Sequence, residues 1–81
     1  MITCRGKGHV VEYRYRASGY GKLLIRDKND KHQIYVRDPL ASKLKNQDID
    51  GKKITFTGHV FYKDSMMIIA DSVYIIDKAF T

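Results

Sequence analysis

Lys22-Leu23-Leu24-Ile25-Arg26-Asp27-Lys28-Asn29-Asp30-Lys31-His32-Gln33-Ile34-Tyr35-Val36-Arg37-Asp38-Pro39 is the stretch on which the fold turns. Two runs rich in aliphatic and aromatic residues flank Lys28-Asn29-Asp30, a turn in which Asn29 and Asp30 supply the backbone freedom a tight reversal needs. The two runs are therefore antiparallel neighbours. Immediately afterwards Asp38 offers a side-chain acceptor to free backbone N–H groups, and Pro39 suits the first helical position. Leu40 and Leu44, four residues apart, give that helix one narrow apolar stripe opposite Ser42, Lys43 and Lys45. The helix is predicted to end near Asn46.

Outward from this segment, residues 3–16, 52–62 and 66–76 carry the same strand signature, bounded by Gly, Asp, Asn or Ser. Together with 22–27 and 31–37 they predict an all-β chain with one short helix, in the order β-β-β-α-β-β. The 81 residues leave room for one domain, spanning residues 1–81, and one modest core. No linker, low-complexity tract or composition break divides them. Gly6 and Gly8 in the long first strand permit a bulge or sharp coil, which lets that strand serve both halves of a small closed barrel.

This element order, the early glycines and the ending Gly51-Lys52-Lys53-Ile54-Thr55-Phe56-Thr57-Gly58-His59-Val60, followed by Ile68-Ile69-Ala70-Asp71-Ser72-Val73, resemble an OB-fold domain of the single-stranded nucleic-acid-binding type. The resemblance covers nearly the whole chain and implies a five-stranded Greek-key barrel. It also implies a ligand groove across the second and third strands, flanked by the loops joining strands one to two and four to five. Gly19-Tyr20-Gly21 and Gln33-Ile34-Tyr35-Val36 are similar in part to the aromatic motifs of cold-shock domains, although Leu24 and Arg37 stand where that family keeps further aromatics.

Charge is distributed unevenly. All five arginines lie in the first 37 residues, which hold nine Lys or Arg against Glu12, Asp27 and Asp30, while residues 38–81 balance six basic against six acidic groups. The net +6 and the isoelectric point near 9.6 are therefore regional and fit an anionic partner. Alternation along the third strand puts Ile34 and Val36 in the core and Lys31, Gln33, Tyr35 and Arg37 outside. On the second strand Leu23 and Ile25 share the core, leaving Lys22, Leu24 and Arg26 beside that outer face. The first strand adds Arg14 and Arg16 on one side and Tyr13 and Tyr15 on the other, and its expected bulge leaves both facings open. In the flanking loops, Tyr20 sits between two glycines and Tyr62 beside Lys63. Guanidinium forks bind phosphate oxygens and tyrosine rings stack on unpaired bases. The expected nucleic-acid site is Arg14, Arg16, Tyr20, Lys22, Arg26, Lys31, Tyr35, Arg37, Tyr62 and Lys63. Tyr13, Tyr15 and Tyr74 fit barrel packing as well as binding, and Phe56 and Phe80 fit the core.

The expected ligand is single-stranded DNA, with RNA the nearest substitute, bound without catalysis, in replication or recombination. No Cys-x-x-Cys or paired-His spacing points to a metal, no Gly-x-Ser-x-Gly turn to a nucleophile, and no cofactor is expected. The longest wholly apolar run, Met66 to Ala70, is too short for a spanning helix, so no membrane role is expected. The single Cys4 and the absence of an apolar leader at the start fit a reduced, cytoplasmic setting. His9, His32 and His59 read as surface or edge residues. The runner-up is an OB-type adaptor that binds a replication-protein partner or pairs with itself through Met66-Met67-Ile68-Ile69, a stretch that equally reads as a core strand.

Overall fold

The computed structural model describes residues 2–62, 64–75 and 78–81. Its elements are β1 (Ile2–Arg16), β2 (Tyr20–Asp27), β3 (Asp30–Arg37), α1 (Leu40–Lys45), β4 (Lys53–Tyr62), β5 (Met66–Ile75) and β6 (Lys78–Phe80). The sheet order β3-β2-β1-β4-β5-β6 closes on itself through a parallel pairing of β3 with β5, which makes a five-stranded barrel. The helix lies between β3 and β4, as the residue pattern predicts.

β1 makes closure possible. Fifteen residues at about 3.3 Å each would span about 50 Å if straight, whereas the largest Cα extent of the molecule is 31 Å. The strand must coil. Residues 2–9 pair with β4 and residues 9–16 with β2. The irregularity that accompanies this change of partner is not at the glycines, which sit in unbroken pairing with β4, but at Val11, skipped between Val10↔Ile25 and Glu12↔Leu24. Gly6 and Gly8 serve close packing instead, since a Cβ on Gly6 would overlap the Phe56 ring and one on Gly8 would press on the Arg26 carbonyl.

Inside the barrel, Val10, Leu23, Ile25, Ile34, Val36, Ile54, Phe56 and Val73 are buried, and Leu40, Ala41 and Leu44 of α1 join them with Ile49 and Phe80. Each such aliphatic or aromatic side chain contributes about 1.5–3 kcal/mol on removal from water. Asp38 performs its predicted task, its Oδ1 accepting the Ser42 N–H at 2.9 Å, but Pro39 occupies the N-cap and the helix proper starts at Leu40. The β2–β3 reversal is tighter than predicted. Asp27 and Asp30 already pair, and Lys28 rather than Asn29 or Asp30 takes the left-handed backbone, at φ 58°.

Further differences lie at the C-terminal end. The last predicted strand is observed from Met66 to Ile75, its predicted end at Ile76 lying outside the described residues, and β6, unannounced by alternation in so short a run, adds to it. The Met66 to Ile69 stretch offers no free edge at Ile68 and Ile69, because both pair with β4 on one side and β3 on the other. Self-pairing through Ile68 and Ile69 is therefore blocked, whereas Met66 and Met67 pair with β4 alone among the described residues. Ile68 packs on the core while Met66 is exposed, so the run is neither wholly buried nor wholly available. No helix among the described residues is long and apolar enough to cross a membrane.

Candidate nucleic-acid interface

The skipped Val11 settles which way β1 faces. Before it, Gly8 and Val10 point inward and Arg5, Lys7 and His9 outward; after it, Tyr13 and Tyr15 pack against the core and Arg14 and Arg16 are exposed. The Tyr13 hydroxyl donates to the Ala41 carbonyl at 2.6 Å and the Tyr15 hydroxyl to Asp38 Oδ2 at 3.1 Å. Burial, helped by the nearby Asp38 carboxylate and Tyr15, pushes the Tyr13 phenol up to about 12. The hydrogen bond to Asp38, then burial and the Asp38 charge, raise Tyr15. Both phenols are thus held as donors, Tyr13 to α1 and Tyr15 to the Asp38 that precedes it, and neither side chain shares the three-stranded outer face of Arg14 and Arg16.

Register then assembles the outer face. Across β1, β2 and β3, Arg16 lies opposite Tyr20 and Tyr20 opposite Arg37; Arg14 opposite Lys22 and Lys22 opposite Tyr35; Glu12 opposite Leu24 and Leu24 opposite Gln33; Arg26 opposite Lys31. Directly opposed side chains on one face stand about 4.5–5.5 Å apart at Cβ, so these are contacts of a continuous surface. Eight of the ten predicted site residues share it: Arg14, Arg16, Tyr20, Lys22, Arg26, Lys31, Tyr35 and Arg37. Tyr20 leaves its predicted loop and begins β2, because the β1–β2 turn is confined to residues 17–19, with Gly19 at φ 91°.

Its centre is aromatic. The Tyr20 and Tyr35 rings are tilted by 47° with centroids 6.5 Å apart, and Lys22 Nζ lies 5.8 Å from the Tyr35 centroid. Gln33 Nε2 donates to the Tyr35 hydroxyl at 2.7 Å, fixing the tip of the ring. Beside the rings, Glu12, Arg14, Arg16, Lys22, Leu24 and Gln33 line a hollow of about 250 Å³. Arg14 is paired with Glu12, whereas Arg16 and Lys22 have no acidic partner among the described residues. Guanidinium, ammonium and ring faces within one surface suit a chain of alternating phosphates and bases.

The β4–β5 hairpin is different. Tyr62 is 65% exposed at the end of β4, beside exposed Phe61 and Met66, but it is not in the three-stranded face; Lys63 lies outside the described residues. Residue reading passed over Glu12 and Gln33 as site members and Ile69, which pairs with Tyr35 across the parallel β3–β5 contact. The alternation that exposed Tyr35 also marks Gln33, but nothing local marks Ile69. His59 is a correction as well. It is buried, with Nδ1 3.1 Å from Asp71 Oδ2, rather than at the surface. No group of three or more potential metal ligands occurs among the described residues.

A five-stranded barrel of this order, with its helix between β3 and β4, is an OB-fold, and solved structures share it. The chain superposes on 96% of its length with a chain of the S. pombe Stn1–Ten1 complex, at TM-score 0.76 and 12% identity, spanning 60% of that chain. It covers 91% of its length and 94% of the SSB domain of a Synechococcus protein at TM-score 0.71 and 12% identity. With the second OB-fold domain of replication protein A from Methanococcus maripaludis it shares 18% identity at TM-score 0.69, covering 95% of its length and 86% of that chain. No family model matches the sequence, and no curated protein does.

Proposed function

We propose that this OB-fold chain is a non-catalytic single-stranded DNA-binding protein. The observation that carries the reading is the convergence of six cations and two tyrosines, from three strands, on one outer face. Solved proteins of the same fold include an SSB domain and a small single-stranded DNA-binding protein from Streptomyces coelicolor, which supports the ligand class, and a domain of replication protein A, which supports a place in replication. Phosphates meet Arg16, Lys22, Arg26, Lys31 and Arg37, and bases stack on Tyr20 and Tyr35. At about 1–3 kcal/mol for each stacked base, two rings with phosphate contacts bring affinity to about the micromolar range. RNA is the nearest substitute, since stacking is indifferent to the sugar.

A second reading rests on a separate observation. Ile2, Phe61, Tyr62 and Met66 are all exposed around the β4–β5 hairpin, which supports a protein partner at that end. Fluorescence anisotropy of labelled single-stranded DNA, its duplex and its RNA counterpart over a salt series separates the two. Micromolar, salt-sensitive preference for single strands supports the face as the site; equal weak binding of all three refutes it and leaves the hairpin patch as the surface to pursue.

A further inference from the structure

We propose that a bound single strand does not end at this face but follows the outer row of β1 onto the opposite side of the barrel, where Arg5, Lys7 and Tyr74 make a second contact. This rests on the single-strand reading above. The skip at Val11 changes which parity of residue points outward at the place where β1 leaves β4 and joins β2. Without it, the strand would aim either Arg14 and Arg16 or Arg5 and Lys7 into the core. With it, Arg5, Lys7, His9, Arg14 and Arg16 form one outward row, at about 6.6 Å between alternate residues. Glu12 is the one carboxylate in the row, and Arg14 neutralises it.

Beyond His9 the row meets a distinct surface. Lys7 lies opposite Thr55 and Thr55 opposite Tyr74, which places a cation, a hydroxyl and a 48% exposed ring side by side on β1, β4 and β5. Arg5 continues opposite Thr57, and Lys53 lies opposite His9. Arg5, Gly6, Lys7, Thr55, Phe56 and Thr57 line an open groove of about 620 Å³ together with Asp27 at the end of β2, the one carboxylate in its lining. Because Arg26 pairs with His9, this groove adjoins the last row of the first face without a gap. The chemistry repeats that of the face: guanidinium and ammonium groups for phosphate, and one ring for a base. A polyanion long enough to leave the face therefore finds its next cations on the same strand.

Length dependence tests this. Anisotropy titrations over a salt series compare thymidine oligonucleotides of about 6 and about 20 nucleotides, within and beyond the usual span of about 4–16 per OB fold. The proteins are wild type, R5A/K7A and Y74A, each checked for folding by circular dichroism. For the long strand, R5A/K7A lowers the log–log salt slope by about 1.4, and binding at about 0.1 M salt falls about 25-fold if the curves converge at 1 M. Y74A weakens long-strand binding by about tenfold with the slope unchanged. Neither variant alters binding of the short strand.

Wild-type affinity of R5A/K7A for the long strand overturns the second contact and leaves the face intact. An equal loss for both lengths also overturns it, since the charges then act as a diffuse field. Full long-strand affinity in Y74A overturns the stacking role of that ring. Failure of wild type to bind either strand overturns both this inference and the single-strand reading.

Discussion

Tyr35→Ala removes the ring at the centre of the face, and its expected effects divide cleanly between folding and binding. Tyr35 is half-buried on the outer side of β3, so the fold loses no core volume. It loses the tilted pairing with Tyr20, the Lys22 cation over the ring and the hydrogen bond from Gln33. An aromatic pair is worth about 0.5–1.5 kcal/mol and an exposed cation–π contact about 0.5–1 kcal/mol, and these overlap at one side chain. A loss of about 1–2 kcal/mol in stability follows, or about 4–16 °C in Tm for a chain of this length. Binding loses a stacking platform worth about 1–3 kcal/mol, which is about 5- to 150-fold in Kd. The salt slope does not change, because no charge has been removed. Anisotropy against a single strand, at a temperature where circular dichroism shows the variant fully folded, reads both quantities. Tyr35→Phe keeps the ring and loses only the Gln33 hydrogen bond, so it binds within about threefold of wild type. Wild-type affinity in Tyr35→Ala refutes the stacking role, and a reduced slope refutes the division between ring and charge.

Arg16 has no acidic partner among the described residues, so Arg16→Ala lowers the single-strand salt slope by about 0.7, and an unchanged slope makes Arg16 a bystander. The Tyr13 phenol is raised from 10.0 to about 12 in the folded chain, so its contribution to stability is whole below pH 10 and is lost as pH rises through about 12. Allowing for the ring's partial exposure, that is about 1 kcal/mol, read as wild type minus Tyr13→Phe in urea melts between about pH 9 and 12; a difference that does not shrink with rising pH refutes the assignment. A Cβ on Gly58 would overlap the Ile69 carbonyl and the Ala70 backbone, so Gly58→Ala costs about 3 kcal/mol or more, and a thermal melt matching wild type refutes that contact.

Local chemistry made the hairpin, the helix and the basic face legible, and non-local geometry hid the rest. Ile34 and Val36 against Tyr35 and Arg37 is a period-two pattern that needs only the pleat of one strand, and the structure keeps every one of those facings. Asp38 capping is equally local. The parallel β3–β5 pairing joins residues more than 30 positions apart, with no turn between them to announce it, so Ile69 beside Tyr35 had no sequence signal. Lys28 shows a different limit. Asn29 tolerates the left-handed backbone better, but the Asp27↔Asp30 register fixes which residue must adopt it, and tertiary pairing overrides local preference.

Strand β1 joins these two limits. Its alternation allowed either the tyrosines or the arginines to face outward, and one skipped residue decides between them. Val11 is exposed and unremarkable in type, yet omitting it from the β1–β2 register sends Tyr13 and Tyr15 inward to hold α1 and keeps Arg14 and Arg16 outward. A coiled strand that must change partners is where a bulge is most tolerable, because the ladder is already being re-aimed there. The requirement of closing the barrel and the requirement of presenting cations on both sides of that crossing are met by the same irregularity. Deleting Val11 is therefore a test of that assignment. With the extra residue gone, Val10↔Ile25 and Glu12↔Leu24 become consecutive pairs of a regular ladder, and Tyr13 and Tyr15 stay inward and Arg14 and Arg16 outward. The variant then keeps a cooperative melt and the outward row and loses only the local bend, and a variant that cannot fold shows that barrel closure needs the bulge itself.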